Sequence, residues 1–274
     1  MWNMFVTLRV ITLNINGLRS GERKGALKWL GKQKADVIAL QETRCPESER
    51  AKGNFSIPGY QAHFHDAEAK GYSGVALYLP QTADRVSDGI GIPEFDREGR
   101  WLQADFGDLS IISLYLPSGS SSEIRQAFKF QALDWLEVKL RALKDDGRRY
   151  IVCGDYNIAH TKVDIKNWRS NQKNSGFLPA EREWMERLLH VEGWVDTHRR
   201  LKPGVAEYTW WSNRGQAYAN DVGWRIDYQI ASPSLAGANV NAVVHRQDRF
   251  SDHAPVIVDY ELPTLRKVRA PKTK

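Results

Sequence analysis

Several short stretches of the chain alternate between apolar and polar residues, which is the pattern of a β-strand with one buried face. In the first half this pattern predicts a strand at FVTLRVITLN. DVIALQ is typical of a buried strand, and GYSGVALYLP, DLSIISLYLP and RRYIVCG predict further strands. In the second half the sequence predicts strands at EYTWW, WRIDYQIA, NVNAVVHR and APVIVDYEL. Sheets built from alternating strands cover one face and leave the other wet, so the pattern favours two sheets packed together with helices outside.

Helical periodicity separates some of these strands. SGERKGALKWLGKQ predicts one polar-faced helix after the first strand. Within SGSSSE, Ser120 and Glu123 have the spacing of a capping box, and apolar residues then recur every three or four positions. The expected buried face of this second helix consists of Ile124, Phe128, Ala132, Leu136, Leu140 and Leu143. LPAEREWMERLLHVEG predicts another amphipathic helix, with Pro179 near its first turn.

These elements predict one compact α/β domain. Strands and helices follow one another without a glycine–serine linker, a low-complexity tract or a short-period repeat. We expect the domain to span residues 1–263. Residues 264–274, TLRKVRAPKTK, predict a basic and flexible tail.

The composition is that of an ordinary soluble protein, with 42% hydrophobic and 26% charged residues. No apolar run approaches the roughly 18 residues of a membrane span, and the first residues lack the pattern of a secretory signal. Two cysteines, Cys45 and Cys153, exclude a disulfide framework and a four-cysteine zinc site. We therefore expect a reduced, cytoplasmic protein, associated with the nucleoid if it is bacterial. The net charge of +6 favours polyanionic partners such as nucleic acid.

Polar side chains gather where predicted strands end. Those groups are Asn14 and Asn16 in TLNINGLR, Gln41 and Glu42 in ALQETR, Asp155 and Asn157 in IVCGDYNIAH, Asp227 in WRIDYQIA, and Asp252 and His253 in FSDHAPV. A fold that gathers these ends at one rim concentrates carboxylates, which repel one another unless a divalent cation lies among them. Oxygen ligands without thiolates favour Mg²⁺ or Mn²⁺ over zinc.

The segment Ser251-Asp252-His253 permits three interpretations: part of a hydrolase triad, half of a metal site, or a turn before an edge strand. A serine nucleophile is disfavoured, because the chain has no Gly-x-Ser-x-Gly elbow and neighbours in sequence do not by themselves form a triad. The segment alone does not decide between the other two.

Blocks along nearly the whole chain resemble the signature segments of the exonuclease III class of apurinic/apyrimidinic endonucleases. They are TLNINGLR, LQETR, SLYLPSGS, CGDYNIAH, NQKNSGF, YTWWSNRGQA, VGWRIDYQIAS and SDHAPV, in the family's order. The resemblance implies a four-layer α/β/β/α sandwich of the deoxyribonuclease I-like type. It also implies a Mg²⁺-dependent phosphodiesterase, with Mn²⁺ as a substitute, that acts on double-stranded DNA with abasic sites or blocked 3′ ends. We expect a monomer that binds no membrane.

The resemblance assigns catalysis to Tyr115, Asp155, Asn157, Asp227 and His253. Asp155 is the expected base that orients or deprotonates the attacking water, and Asn157 donates a hydrogen bond beside it. Asp227 is expected to accept a hydrogen bond from His253, which raises the pKa of the ring and directs its other nitrogen at the scissile phosphate. Tyr115 is expected to contact the same phosphate.

Glu42 is the principal metal ligand by resemblance, and Asn14 and Asp252 stand close to it as ligands or through water. The full expected set of metal-site residues is Asn14, Glu42, Asp155, Asn157, Asp252 and His253. Many relatives carry aspartate where this chain has Asn16, so direct metal contact at that position stays open.

The polar segment NQKNSGF resembles the family's clamp on the DNA backbone, and its candidate contacts are Asn171, Lys173 and Asn174. Amide and ammonium groups bind phosphates without reading bases, as an enzyme that acts at any sequence requires. Arg214 lies at a loop position from which some relatives insert an apolar side chain into the duplex. Here it would fill the gap or bind phosphate.

Three residues match the family's pocket for an extruded abasic sugar: Trp210, Trp224 and Ile226. A narrow apolar pocket accepts a sugar that has lost its base and rejects an intact nucleotide. The neighbouring Trp211 is predicted to belong to the core.

Two other functions compete with this prediction. Inositol-polyphosphate phosphatases and sphingomyelinases resemble the same architecture, but NQKNSGF and YTWW…VGWRIDY favour the DNA-repair branch. A protein that kept the fold and lost catalysis is disfavoured, because the expected catalytic residues are intact. The balance of endonuclease, 3′-phosphodiesterase and exonuclease activities is not set by these motifs.

Overall fold

A computed structural model of the chain describes residues 5–263, so the predicted tail at 264–274 lies outside the described residues. The strands are β1 Phe5–Asn14, β2 Val37–Gln41, β3 Gln61–His65, β4 Val75–Leu79, β5 Arg85–Asp88, β6 Trp101–Phe106, β7 Leu109–Tyr115, β8 Arg149–Asp155, β9 Val195–Asp196, β10 Trp210–Trp211, β11 Gly223–Trp224, β12 Asp227–Ala231, β13 Asn239–Val244 and β14 Val256–Pro263. The α-helices are α1 Leu18–Arg23, α2 Ala26–Lys32, α3 Glu47–Arg50, α4 Pro93–Asp96, α5 Glu123–Asp145, α6 Trp168–Asn171, α7 Pro179–Glu186 and α8 Thr197–Leu201. Within residues 5–263, no helix is long and apolar enough to cross a membrane.

The strands form two six-stranded sheets of mixed direction. The first has the order β13-β14-β1-β2-β4-β3, and the second has the order β5-β6-β7-β8-β12-β9. β1 and β2 are parallel in the first sheet, and β7 and β8 are parallel in the second. β10 and β11 form a separate antiparallel ribbon.

The four-layer arrangement is confirmed by the positions of the cores. One core lies between the sheets and includes Val10. A second includes Leu136, where α5 covers the outer face of the second sheet, and a third includes Leu27, where α2 covers the first. The side-chain amide of Gln229 donates to the carbonyl oxygens of Val10 and Val256, at 3.0 and 3.1 Å, and so ties the two sheets together.

Two details of the predicted helices are wrong. SGERKGALKWLGKQ forms two helices rather than one, because Gly25 adopts the left-handed conformation, φ 84°, between α1 and α2. The cap of α5 is Ser122 rather than Ser120, and its hydroxyl accepts from the backbone nitrogen of Arg125.

The buried face of α5 also begins later than predicted. Ile124 is 81% exposed, and Phe128 is only partly buried. The apolar core beneath the helix starts at Ala132, so the first turns of α5 lie beyond it. The buried residue at this end of the helix is instead a lysine, Lys129.

The strand ends that carry the polar residues meet at one rim of the sandwich. β1 ends at Asn14, and the parallel β2 ends beside it. β8 ends at Asp155, directly opposite Asp227, the first residue of the antiparallel β12. β14 runs antiparallel to β1, so its start, shortly after His253, lies near the end of β1.

Candidate active site

Carboxylates from different strands converge at this rim. Asp155 and Asp227 are cross-strand partners, and each is 2% exposed. Asn14 lies between Asp155 and Glu42, and its amide nitrogen donates to one oxygen of each at 2.9 Å. Ligand atoms of Asp155, Asp227 and His253 lie within 4.8 Å of one another. Residues that are distant in sequence therefore form one cluster.

His253 is held between two of these carboxylates. Its Nδ1 lies 2.9 Å from Asp227 Oδ2, and its Nε2 lies 3.9 Å from Asp155 Oδ2. Burial lowers the pKa of the imidazole, but the charge and hydrogen bond of Asp227 outweigh burial and raise the pKa to about 10. The ring is therefore a cation at neutral pH, and both of its nitrogens can donate.

Asp155 has the properties of a group that exchanges a proton near neutral pH. Burial raises its pKa to about 7, with the charge of His253 opposing and those of Asp227 and Glu42 adding to the rise. The backbone nitrogen of Asn157 donates to Asp155 Oδ1 at 2.8 Å and fixes the carboxyl group. A carboxyl group with this pKa suits general base chemistry.

Glu42 is fixed by cationic and neutral donors. Arg44 Nη2 lies 2.6 Å from Glu42 Oε1, and Asn14 binds the other oxygen. Burial alone would raise the pKa of Glu42, but Arg44 and hydrogen bonds from Tyr115 and Asn14 lower it. Glu42 is therefore ionised at neutral pH.

Backbone strain is concentrated at the same rim. The site residues with positive φ are Asn16 at 45°, Glu42 at 52°, Arg44 at 47° and Asn157 at 50°. The left-handed region costs such residues on the order of 1 kcal/mol each. Backbone hydrogen bonds compensate, as where Gly17 N donates to the Glu42 carbonyl at 2.8 Å. Strain of this kind typically marks sites where function sets the direction of side chains.

Asp252 accepts hydrogen bonds from neighbouring side chains and is not part of a serine-hydrolase triad. Its two oxygens accept from Asn16 Nδ2 at 2.7 Å and from Trp210 Nε1 at 3.0 Å. Ser251 Oγ donates to Asp252 Oδ1 at 3.1 Å and accepts from the backbone nitrogen of His253. A serine-hydrolase triad is therefore excluded, because the Ser251 hydroxyl serves the turn and not the imidazole ring.

Tyr115, the last residue of β7, brings a phenol to the cluster. It lines the cleft above the carboxylates, and the Arg100 guanidinium lies 4.6 Å from the centre of its ring. Burial and the charge of Glu42 raise the pKa of Tyr115 far above its usual value. The phenol therefore remains a hydrogen-bond donor at any physiological pH.

The cluster forms the floor of a cleft of about 1010 Å³. Trp210, Trp224 and Ile226 line it together, and the rings of Trp210 and Trp224 meet edge to face with centroids 6.1 Å apart. The structure thus brings the three predicted sugar-pocket residues to one place beside the cluster. Trp211 is 1% exposed, so its assignment to the core is confirmed.

The predicted DNA contacts divide into two groups. Lys173, Asn174 and Arg214 line the cleft. Asn171 ends α6, and its amide nitrogen donates to the Asn167 carbonyl at 2.7 Å while its oxygen accepts from Asn174. Asn171 is not among the cleft-lining residues, and it orients Asn174 instead.

The donor set fits a divalent cation. Asp227 Oδ1 is buried and has no hydrogen-bond partner within residues 5–263. Arg44 and protonated His253 supply two positive charges against the four carboxylates of the rim, which leaves a net negative charge. The available donors are carboxylate oxygens without a thiolate, as hard cations prefer. Asn14 directs its amide nitrogen at the carboxylates, so in this arrangement it orients them.

Sequence reasoning missed three cations around the site: Arg44, which lines the cleft, and Arg100 and Lys129, which are buried. Arg44 stands two residues after Glu42 in LQETR, and Arg100 lies in a loop with no pattern of its own. Lys129 directly follows Phe128 and lies beside the predicted apolar stripe of α5, not on it, so periodicity gave no sign that it is buried.

The sandwich, the carboxylate–histidine cluster and the open cleft define a metal-dependent nuclease of the hydrolase class. The chain belongs to the Endonuclease/Exonuclease/phosphatase family, whose model matches residues 11–253.

Similar proteins agree with this assignment. The chain is 34% identical to the DNA repair nuclease APEX1 of Danio rerio over 255 residues, which cover 91% of this chain and 81% of that protein. It is 35% identical to an exodeoxyribonuclease of Bacillus subtilis over 253 residues, which cover 91% of this chain and 98% of that protein. Its fold matches the crystal structure of the AP endonuclease LMAP from Leishmania major with a TM-score of 0.85 and 26% identity, covering 94% of this chain and 88% of that one.

Proposed function

We propose that this protein is a base-excision-repair nuclease that hydrolyses the phosphodiester bond 5′ to an abasic site in duplex DNA. The proposal includes Mg²⁺ as the cofactor, with Mn²⁺ as a substitute. The observation that carries it is the position of Asp155 and the Asp227–His253 pair beside a pocket of aromatic and apolar residues in one cleft. The names of the similar proteins support the same activity.

Asp155 would orient the attacking water and accept its proton, and Asn157 holds the carboxyl group for that task. As the bond between phosphorus and the 3′-oxygen breaks, negative charge develops on the phosphoryl oxygens and on the leaving oxygen. The donors available for this charge are protonated His253 and the phenol of Tyr115. Asp227 stabilises the charged ring and sets its direction.

Glu42 and Asp155 would hold the cation, with Asn157 and Asp252 of the predicted set beside them. Protonated His253 donates from both ring nitrogens and Asn14 turns its amide nitrogen to the carboxylates, so these two predicted members would orient the ligands and not bind the cation themselves. When bound, Mg²⁺ would neutralise phosphate oxygens and lower the pKa of a bound water. Asn16 is engaged with Asp252, so its contribution would be to orient that carboxylate.

Selectivity for an abasic site would come from the pocket of Trp210, Trp224 and Ile226. Extruding a nucleotide costs least where base pairing is already lost, and an apolar pocket sized for a sugar rejects an attached base. Lys173 and Asn174 would bind the backbone without reading sequence, and Arg214 would bind phosphate or fill the gap in the duplex. Blocked and recessed 3′ ends are further substrates in this proposal, supported by the relative named as an exodeoxyribonuclease.

The deciding experiment is digestion of three end-labelled duplexes by the full chain: one with an abasic analogue, one with a blocked 3′ end, and one intact with a recessed 3′ end. We expect Mg²⁺-dependent cleavage 5′ to the abasic site to be fastest, with loss of activity in EDTA. Faster hydrolysis of a soluble or lipid phosphoester than of abasic DNA would assign the protein to the phosphatase or sphingomyelinase branch. Binding of abasic DNA without cleavage in Mg²⁺ would leave only a binding function.

A further inference from the structure

A buried ion pair lies behind the floor of the cleft and has no place in the chemistry described above. The side chains of Lys129 on α5 and Glu181 on α7 are both 0% exposed, and Lys129 Nζ lies 2.7 Å from Glu181 Oε1. The neighbours of Lys129 on the buried stripe of α5 are apolar, among them Ala132 and Leu133. A lysine in such surroundings needs a specific reason.

Lys129 directly contacts the turn of residues 155–159, called the catalytic turn below. Its ammonium group donates to the carbonyl oxygen of Asn157 at 2.7 Å. Asn157 has φ 50°, in the left-handed region that asparagine reaches more readily than most residues other than glycine. Its side-chain nitrogen donates to the Leu116 carbonyl at 2.9 Å, and its backbone nitrogen donates to Asp155. Lys129 therefore holds the carbonyl oxygen of Asn157, and the backbone nitrogen of Asn157 in turn holds Asp155.

Glu181 in turn contacts the loop of residues 173–178, called the DNA-side loop below. One of its oxygens accepts from the backbone nitrogens of Gly176 and Leu178, at 2.7 and 3.0 Å. These nitrogens belong to the loop that presents Lys173 and Asn174 to the cleft. The carbonyl of Gly176 accepts from Ala159 N at 2.8 Å, so the loop also touches the end of the catalytic turn.

Stability alone does not explain such a pair. Desolvating two charges costs several kcal/mol per ion, and well-packed apolar residues in their place are often equally stabilising or better. A directional contact to two separate loops is something that an apolar pair cannot supply, because only polar groups fix the orientation of peptide bonds.

We propose that Lys129 and Glu181 form a positioning pair that couples the DNA-side loop, residues 173–178, to the catalytic turn, residues 155–159. The inference rests on the proposed function, and it extends that function to two residues that touch neither DNA nor metal. Movement of the loop on the DNA backbone is transmitted through the pair to Asn157 and from there to Asp155.

The test uses the full chain with Lys129→Met, Lys129→Arg, Glu181→Gln and the Lys129→Met/Glu181→Gln double variant. Arg9→Met is the control, because Arg9, in the middle of β1, pairs with Asp259 at 2.7 Å and does not line the cleft. Single-turnover cleavage of an abasic duplex in Mg²⁺ gives the rate of the chemical step, and titration of the same duplex in EDTA gives its Kd. Both are measured at a temperature where circular dichroism shows each variant to be folded.

We expect Lys129→Met to lower the single-turnover rate about 100-fold, as misplacement of a catalytic group does. Glu181→Gln should weaken DNA binding by about tenfold, because buried amide donors lose part of their acceptor. The double variant should be no worse than the poorer single variant, since the two residues act as a unit. Lys129→Arg should restore much of the rate, and Arg9→Met should change neither quantity.

Amide hydrogen exchange supplies a readout that needs no activity. The pair predicts faster exchange in residues 156–159 and 174–178 together when either partner is replaced. If Lys129→Met proves unstable, Glu181→Gln carries the same test. Unchanged rate and exchange in a folded variant, or a general loosening that Arg9→Met reproduces, would overturn the inference. A wild-type chain that cuts no abasic DNA contradicts the proposed function instead, and hydrogen exchange then tests the pair by itself.

Discussion

His253 Nδ1 lies 2.9 Å from Asp227 Oδ2, and its other ring nitrogen lies 3.9 Å from Asp155 Oδ2. Asp227 therefore holds the imidazole protonated. The second ring nitrogen faces Asp155, the proposed base for the attacking water. A cation and a carboxyl group with a pKa of about 7 therefore lie side by side in a buried rim. Burial disfavours the charged form of each, and the charge of each partly offsets that cost for the other.

Replacing this ring should remove catalysis and preserve the fold. We expect His253→Ala to lower the cleavage rate about 10³-fold, within the usual range for a positioned proton donor. Asp227→Asn should lose less, about 100-fold, because the ring remains but its direction and charge are no longer fixed. The measurement is single-turnover cleavage together with a melting curve. A collapse of the melting temperature in His253→Ala would show a structural histidine instead.

Asp155→Ala should separate chemistry from binding. The side chain of Asp155 lies in the cluster, whereas the proposed DNA contacts Lys173, Asn174 and Arg214 lie on other loops that line the cleft. We expect no detectable cleavage and a Kd for abasic duplex within a few-fold of wild type. Equal loss of binding and cleavage would contradict this division of roles.

Gly176→Ala should damage the site through a steric contact. Gly176 has φ 92°, and an added Cβ would lie 3.0 Å from the Trp224 ring and 3.1 Å from the Asn157 carbonyl. Gly59→Ala is the matched control, because Gly59 has φ 82° and nothing lies within 4 Å of an added Cβ. Both substitutions should cost about 1 kcal/mol of backbone strain.

Only Gly176→Ala should also lower abasic-site cleavage. The added methyl group would press on the Trp224 ring and the Asn157 carbonyl, so both residues of the site would have to move. Melting curves and cleavage rates of the two variants compare these effects directly. Equal activities would show that the Gly176 contact relaxes without moving the site.

Asp164 predicts a pH-dependent contribution to stability. Burial alone would raise its pKa, but Arg225 and Arg199 hold it far below the usual range. A carboxylate whose pKa is depressed by folding stabilises the protein above its unfolded pKa of about 4, and that stabilisation is lost as the pH falls further. Asp164→Asn leaves a buried arginine with fewer partners and should cost about 3 kcal/mol at pH 7.

The difference in unfolding free energy between wild type and Asp164→Asn should therefore shrink below about pH 4. Urea unfolding at pH 7 and at lower pH measures it. A difference that stays constant with pH would mean that folding does not lower the pKa of Asp164.

Binding of Mg²⁺ should stabilise the protein without DNA. A ligand that binds only the folded state raises the melting temperature, and the rise grows with the logarithm of one plus the ratio of ligand concentration to Kd. We expect a rise with Mg²⁺ in wild type and a much smaller one in Glu42→Gln. Glu47→Gln, on the exposed helix α3, is the control and should behave like wild type. A rise that Glu42→Gln retains in full would place the cation elsewhere.

Much of the fold could be predicted from the pattern of the chain. The strand at Phe5–Asn14 and the helix that begins at Pro179 lie where periodicity and proline place them. The prediction failed at the start of α5, where Ile124 continues an apolar stripe but is 81% exposed. Periodicity cannot reveal this, because it does not show how far the sheet beneath a helix extends.

Within the site, the sequence alone identified the residue types, their positions at strand ends and the need for a cation among carboxylates. Only the tertiary structure set Asp155 opposite Asp227, bound the Asn171 side chain to Asn167 and Asn174, and buried Lys129 against Glu181. Local patterning fixes which side chains stand at the end of a strand, because backbone geometry alternates them predictably. Which ends meet depends on the pairing of strands that are remote in the chain, and that choice is made by the packing of the whole sandwich.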